Sequence, residues 1–90
     1  MEYIKIKWIH ESKDFPIDLY SEIDSDRFEV RKVEVFPDGS LGYADAKDSS
    51  KDTKLGDVAM PPLDKLNSDP EFKASVISKD EFEEIWLKAK

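Results

Sequence analysis

Apolar and polar residues alternate along much of the first half of the chain, and that alternation predicts strands. Over residues 3–10, Ile4, Ile6 and Trp8 fall on one side and Lys5 and Lys7 on the other, the pattern of a half-buried antiparallel strand. Residues 17–23 repeat it, with Ile17, Leu19 and Ile23 inward and Asp18, Tyr20 and Glu22 outward. The stretch 27–44 organises the rest: a long strand, a tight turn and a returning strand. Its turn is Pro37-Asp38-Gly39. Proline presets the first central position of a type I turn, aspartate suits the second, and glycine accepts the left-handed conformation that follows. Three-residue hairpin loops close in this way. Within the long strand the parity changes, because Phe28 and Val30 give way to Val33 and Val35. A strand has a strict period of two, so a β-bulge near Arg31 and Lys32 is the economical repair, with two shorter strands as the alternative.

The second half is less regular. Glu11-Ser12-Lys13-Asp14 and Asp24-Ser25-Asp26 read as polar links. The short links between the first four strands make them a meander. Residues 45–58 hold charges, serines and a glycine with almost nothing to bury, which predicts a mobile loop. After Pro61-Pro62 a short helical turn is expected over 63–67, and 73–77 reads as extended. The clearest helix comes last. Ser78 and Glu81 have the spacing of a capping box, and Ile77 and Phe82 that of a hydrophobic staple. Acidic residues crowd the early turns, Lys88 and Lys90 the end. Phe82, Ile85, Trp86 and Ala89 form one apolar stripe. The expected fold is therefore α+β: a single antiparallel sheet of about four strands, with this amphipathic helix packed on the sheet's apolar face.

Composition narrows the class of protein. Ninety residues make one domain, and ten aromatics, the sum of five Phe, three Tyr and two Trp, are its main core material. There is no cysteine, so disulfides and thiolate metal sites are excluded, which fits a reducing cytoplasm. The N-terminus has charges at alternate positions and reads neither as a signal peptide nor as a membrane span. The expected location is cytoplasmic. A net charge of −7 argues against binding nucleic acid or anionic membranes. It favours association with basic partners, or serves solubility alone.

No chemical motif stands out. His10 is the single histidine. Glu11 and Asp14 lie near it, so general-base catalysis is conceivable, but a strand-end histidine satisfied by a hydrogen bond is the plainer reading. No catalytic residue is assigned and no cofactor is expected. One histidine and no cysteine fall short of a zinc site. Asp24, Asp26 and Glu29 offer oxygen ligands without EF-hand spacing, and read as a solvated turn. The P-loop, dinucleotide and nucleophile-elbow motifs are absent. The candidate partner-binding residues are Asp18, Tyr20, Glu22, Asp24, Asp26 and Glu29: an acidic face around an aromatic anchor, suited to a basic protein partner. An ordinary solvated face is the competing reading.

The segments Y-I-K-I-K-W-I-H, L-Y-S-E-I-D, V-R-K-V-E-V-F-P-D-G-S-L-G-Y-A, L-N-S-D-P-E-F and I-S-K-D-E-F-E-E-I-W resemble a family of short uncharacterised bacterial proteins, over nearly the full chain. The match departs after Ala46, where a more glycine-rich link is expected. The resemblance implies no activity. In size, acidity and lack of catalytic residues the chain is also similar in type to immunity proteins, which neutralise bacterial toxins. That likeness implies a non-catalytic binder that occludes the active site of a cognate toxin, such as a basic nuclease. A regulatory or homo-oligomeric module, or a small enzyme using His10, are the alternatives.

Overall fold

A computed structural model describes residues 1–50 and 53–90. The elements are β1 (Glu2–Trp8), β2 (Asp18–Ile23), β3 (Glu29–Val35), β4 (Leu41–Ala44), α1 (Leu63–Asn67), β5 (Phe72–Val76) and α2 (Lys79–Ala89). Among the described residues they build one antiparallel sheet of five strands in the order β4-β3-β2-β1-β5. The first four strands are the expected meander. The fifth comes from the segment read only as extended, and it pairs with the outer side of β1. The fold is α+β.

Two hairpin turns share one geometry. In the first, the Gly39 amide donates to the Phe36 carbonyl at 2.9 Å and Phe36 donates to Ser40 at 2.9 Å, with Gly39 at φ +87°. The Asp38 carboxylate accepts from both the amide and the hydroxyl of Ser40. In the second, Arg27 donates to Asp24 at 2.9 Å and Asp24 to Phe28 at 3.0 Å, with Arg27 at φ +68°. Here an arginine stands where the other turn has glycine. A side chain in this conformation costs about 1 kcal/mol. The arginine is held by what it binds. Its Nε donates to the Met60 carbonyl at 2.8 Å, Nη2 to the Pro61 carbonyl at 2.8 Å and Nη1 to Glu2 at 3.1 Å. Its own carbonyl accepts from the Met60 amide at 2.7 Å.

The bulge lies at Val30. Glu22 pairs with Arg31, but Ile23 pairs with Glu29, so Val30 has no partner in the register. This resets the parity: Arg31 and Val33 share a face with Tyr3, Tyr20 and Glu22. That face, and not the isoleucine face, receives α2. Tyr3, Val33, Phe82 and Trp86 are buried together there, with Tyr20, Tyr43, Ile77, Ile85 and Ala89 packed around them. The isoleucine face is covered instead by the segment before β5. Ile4, Ile6 and Ile23 pack under Met60, Leu63 and Leu66 of that segment, beside Phe72 and Ala74 of β5. The expectation that the helix covers the isoleucines is thus corrected. Alternation showed which residues share a face; it did not show that both faces are covered.

Both sheet edges carry partners. At β5, the Asn67 side chain accepts from the Ala74 amide at 2.6 Å and donates to its carbonyl at 2.9 Å, as a neighbouring strand would. At β4, Ser50 donates from its backbone to the Tyr43 carbonyl at 2.9 Å, its hydroxyl accepts from the Tyr43 amide, and Ala44 bridges Ser49. Such devices blunt an edge against pairing with another chain. Lys51 and Asp52, part of the loop expected to be mobile, lie outside the described residues. Elsewhere in that loop, the buried Thr53 donates to Glu34 at 2.8 Å and the Gly56 amide to Glu29 at 2.6 Å.

The two turns give a paired expectation. Gly39→Ala meets no atom within 4 Å, so its loss of stability, about 1 kcal/mol, comes from backbone conformation alone. At position 27 the ranking separates the backbone cost from the side-chain clasp. Arg27→Ala should be less stable than wild type, and Arg27→Gly should recover about 1 kcal/mol of that loss in urea unfolding. Equal stability of the two variants would show that the left-handed conformation carries no cost there.

Candidate functional site

The six acidic and aromatic residues singled out above do not form one exposed face. Glu22 is 6 % exposed and lies under α2. Its carboxylate accepts from Arg31 Nε at 2.6 Å and Nη2 at 3.0 Å, and from the Tyr3 hydroxyl at 2.9 Å. Tyr20 shares the face of Tyr3 and is half-buried at the margin of the α2 core, with the Lys5 ammonium 5.4 Å from its ring centre. Asp18 lies on the same face. Glu29 is on the opposite side, where it accepts from Ser21 at 2.7 Å and from the Gly56 amide, with Lys32 at 3.5 Å. Asp18, Tyr20 and Glu22 thus share the α2 face, and Asp24 and Asp26 lie together on the turn before β3. The physical reason is the bulge at Val30, which sends Arg31 to the side of Glu22 and Glu29 away from it.

Arg31 sits at the centre of the network that fastens α2. It grips Glu22 on β2 and reaches Glu83 on α2 at 2.8 and 3.0 Å. Its guanidinium also lies 4.9 Å from the ring centre of Phe82 and 5.1 Å from that of Trp86, within the range of cation–π attraction. The hydrogen bonds from Arg31 hold the Glu22 carboxyl below its ordinary range, with a further contribution from Tyr3. Arg31 holds Glu83 below it too. Burial, then the bond to Glu22, pushes the Tyr3 phenol above its ordinary value. Sequence reasoning weighed Glu22 as a surface acid. The signal that finds its partner is the opposite charge at Arg31, directly across β3 once the bulge is counted.

The acidic turn is ordered by its own side chain. Asp24 Oδ1 accepts from the amides of Asp26 at 2.9 Å and Phe28 at 3.0 Å. Beside it, Met1, Glu2, Asp24, Ser25 and Arg27 line a cleft of about 350 Å³. Asp26 is exposed. Glu29 is directed elsewhere, so the oxygen set considered for a hard cation is divided. Among the described residues no group of His, Asp and Glu side chains is arranged to hold a metal ion, and no helix is long and apolar enough to cross a membrane.

His10 closes the link between β1 and β2. Its Nε2 lies 2.7 Å from the Pro16 carbonyl, and its Nδ1 accepts from the Ser12 amide at 3.1 Å. Around it stand Trp8 at 4.7 Å and Phe15 at 6.5 Å between ring centres. Trp8 also meets Phe72 at 6.1 Å. Phe72 continues into an open apolar groove of about 430 Å³, lined with Pro61, Pro62, Leu66, Lys65 and Asp69.

The Arg31 network sets a pH dependence. Glu22 and Glu83 titrate lower when folded than their ordinary 4.5. The stability they confer is therefore full above that value, and is lost as pH falls below it through the lowered folded values. Tyr3 titrates above 10.0 when folded, so its contribution is full below pH 10 and is lost as pH rises through the raised value. Thermal unfolding should show both limbs. Glu22→Gln should flatten the acid limb and Tyr3→Phe the alkaline one. Arg31→Ala, which strands a buried carboxylate, should cost on the order of 3 kcal/mol at pH 7. Glu83→Gln, removing a more exposed partner, should cost about 1 kcal/mol or less.

No curated protein and no solved structure matches the chain. A family profile does, over residues 2–90, in keeping with the near full-length resemblance of the segments quoted above. The chain therefore belongs to the family described as a domain of unknown function (DUF6881).

Proposed function

We propose that this is a non-catalytic binding protein that neutralises a basic protein partner, as an immunity protein blocks a toxin nuclease. The observation that carries this reading is the placement of charge. The acids inside the fold, Glu22 and Glu29, are matched by Arg31 and Lys32. The net −7 is therefore displayed outward. Asp24 and Asp26 present part of it on a turn already fixed by hydrogen bonds, which lowers the ordering entropy of binding. Asp18 and Tyr20, half-buried on the α2 face of the sheet with Tyr20 at the margin of the helix core, are the remaining contact candidates. His10 has both ring nitrogens engaged by backbone groups, which supports a structural role for it over a catalytic one.

A second reading, an interaction module that takes an apolar segment, is favoured by the groove beside Phe72. One experiment separates the two. The tagged protein is used to capture partners from its native host at low salt, and association with the captured protein is then measured against salt. On the first reading the partner is basic, its nucleic-acid cleaving activity is inhibited by the complex, and Asp24→Asn with Asp26→Asn slows association about tenfold. Association indifferent to salt and to this double variant, but lost in Leu66→Asp, would replace the first reading with the second.

A further inference from the structure

The link between β1 and β2 is closed by a ring that must be neutral. The Pro16 carbonyl can only accept, so the Nε2 of His10, 2.7 Å away, carries the ring's proton. The Ser12 amide can only donate, so the Nδ1 it approaches at 3.1 Å carries none. Both bonds together fix one tautomer of the uncharged imidazole. Protonating the ring puts a second N–H on Nδ1, facing the Ser12 N–H, and the two donors repel. The bond to Ser12 is then lost, while the bond to Pro16 is kept.

We propose that His10 is a proton-operated clip, which closes the 10–16 link when neutral and releases its Ser12 side when charged. What the link holds gives the clip a consequence. Phe15, 54 % exposed, is carried on it against Trp8, 5.7 Å between ring centres. Asp14, next to Phe15, donates its amide to the hydroxyl of Ser12, the residue that the ring holds. Release at Ser12 therefore frees Phe15 from Trp8, and Trp8 is contiguous through Phe72 with the apolar groove. The sheet is anchored separately. Trp8 donates to Ile17 at 2.8 Å and Ile17 to Val35 at 2.8 Å, so β1 and β2 stay paired when the link opens.

The charged groups about the ring are Glu11, Lys13 and Asp14 on the link itself. At this end of the sheet they are Lys7 on β1, Asp18 on β2, Glu71 just before β5 and Lys73 on β5. Replacing the ring separates its proton from those of the neighbouring carboxylates.

The test is an NMR titration of the full chain between pH 7.5 and 5. The His10 ring protons, the Ser12 amide and the Trp8 indole are followed together. The expected result is a shared midpoint, with the Ser12 amide's protection from solvent exchange falling about tenfold as the ring charges, while Ile4 and Val33 amides stay protected. His10→Asn keeps an acceptor in place for the Ser12 amide without a titratable proton, and it should abolish the transition. A His10 ring that titrates while Ser12 keeps its shift and its protection would overturn the proposal. The same transition surviving in His10→Asn would also overturn it, by assigning the change to neighbouring carboxylates.

Discussion

The arrangement of this protein depends on satisfying one guanidinium. Arg31 is drawn under α2 by a bulge, and once there it must be matched on every side, because a partly buried charge without partners is costly. Glu22 matches it from the sheet, Glu83 from the helix, and the rings of Phe82 and Trp86 from above. The apolar stripe of α2 supplies burial but little direction, since hydrophobic attraction is non-directional. The fork of Arg31 supplies direction. It ties a strand in the middle of the sheet to a helix residue far along the chain (|i−j| = 52), and so fixes how the helix crosses the strands.

Much of this fold was legible in the sequence, for reasons that can be named. The Pro37-Asp38-Gly39 turn, the short helix over Leu63–Asn67 and the Ser78 cap are local chemistry, decided by residues within a few positions of one another. The Ser78 hydroxyl accepts from Glu81 at 3.1 Å, as their spacing implied. The bulge was legible as a break in parity, and its placement shifted from Arg31 and Lys32 to Val30. The face that α2 would cover was not legible. Tyr3 and Val33 stand at positions where alternation marks polar neighbours, and only the reset at Val30 brings them together. The same reset is why Glu22 and Glu29, both read as surface acids, serve opposite faces of the sheet from within it.

The candidate site divided along the same line. Residues whose side chains look outward in a strand pattern were grouped by sequence proximity, but a strand face at the middle of a sheet becomes a surface only if nothing packs on it. On the turn of Asp24 and Asp26 burial does not depend on what covers the sheet: Asp26 is exposed and Asp24 half-buried. Within a small domain that covers both faces of its sheet, turns and links are where surface chemistry can be read with least knowledge of the fold.

The two look-alike turns imply different histories in assembly. The turn at Gly39 is closed by bonds among Phe36, Gly39 and Ser40, residues within a few positions of one another. The turn at Arg27 has the same hydrogen-bond frame but a conformation that its residue resists, and the compensating bonds come from Met60 and Pro61, with |i−j| of 33 and 34. Closing so long a loop has an entropic cost that grows with its length. The junction of β2 with β3 thus becomes secure only when the segment before α1 has arrived. One residue type at one left-handed position makes a local turn conditional on a distant part of the chain.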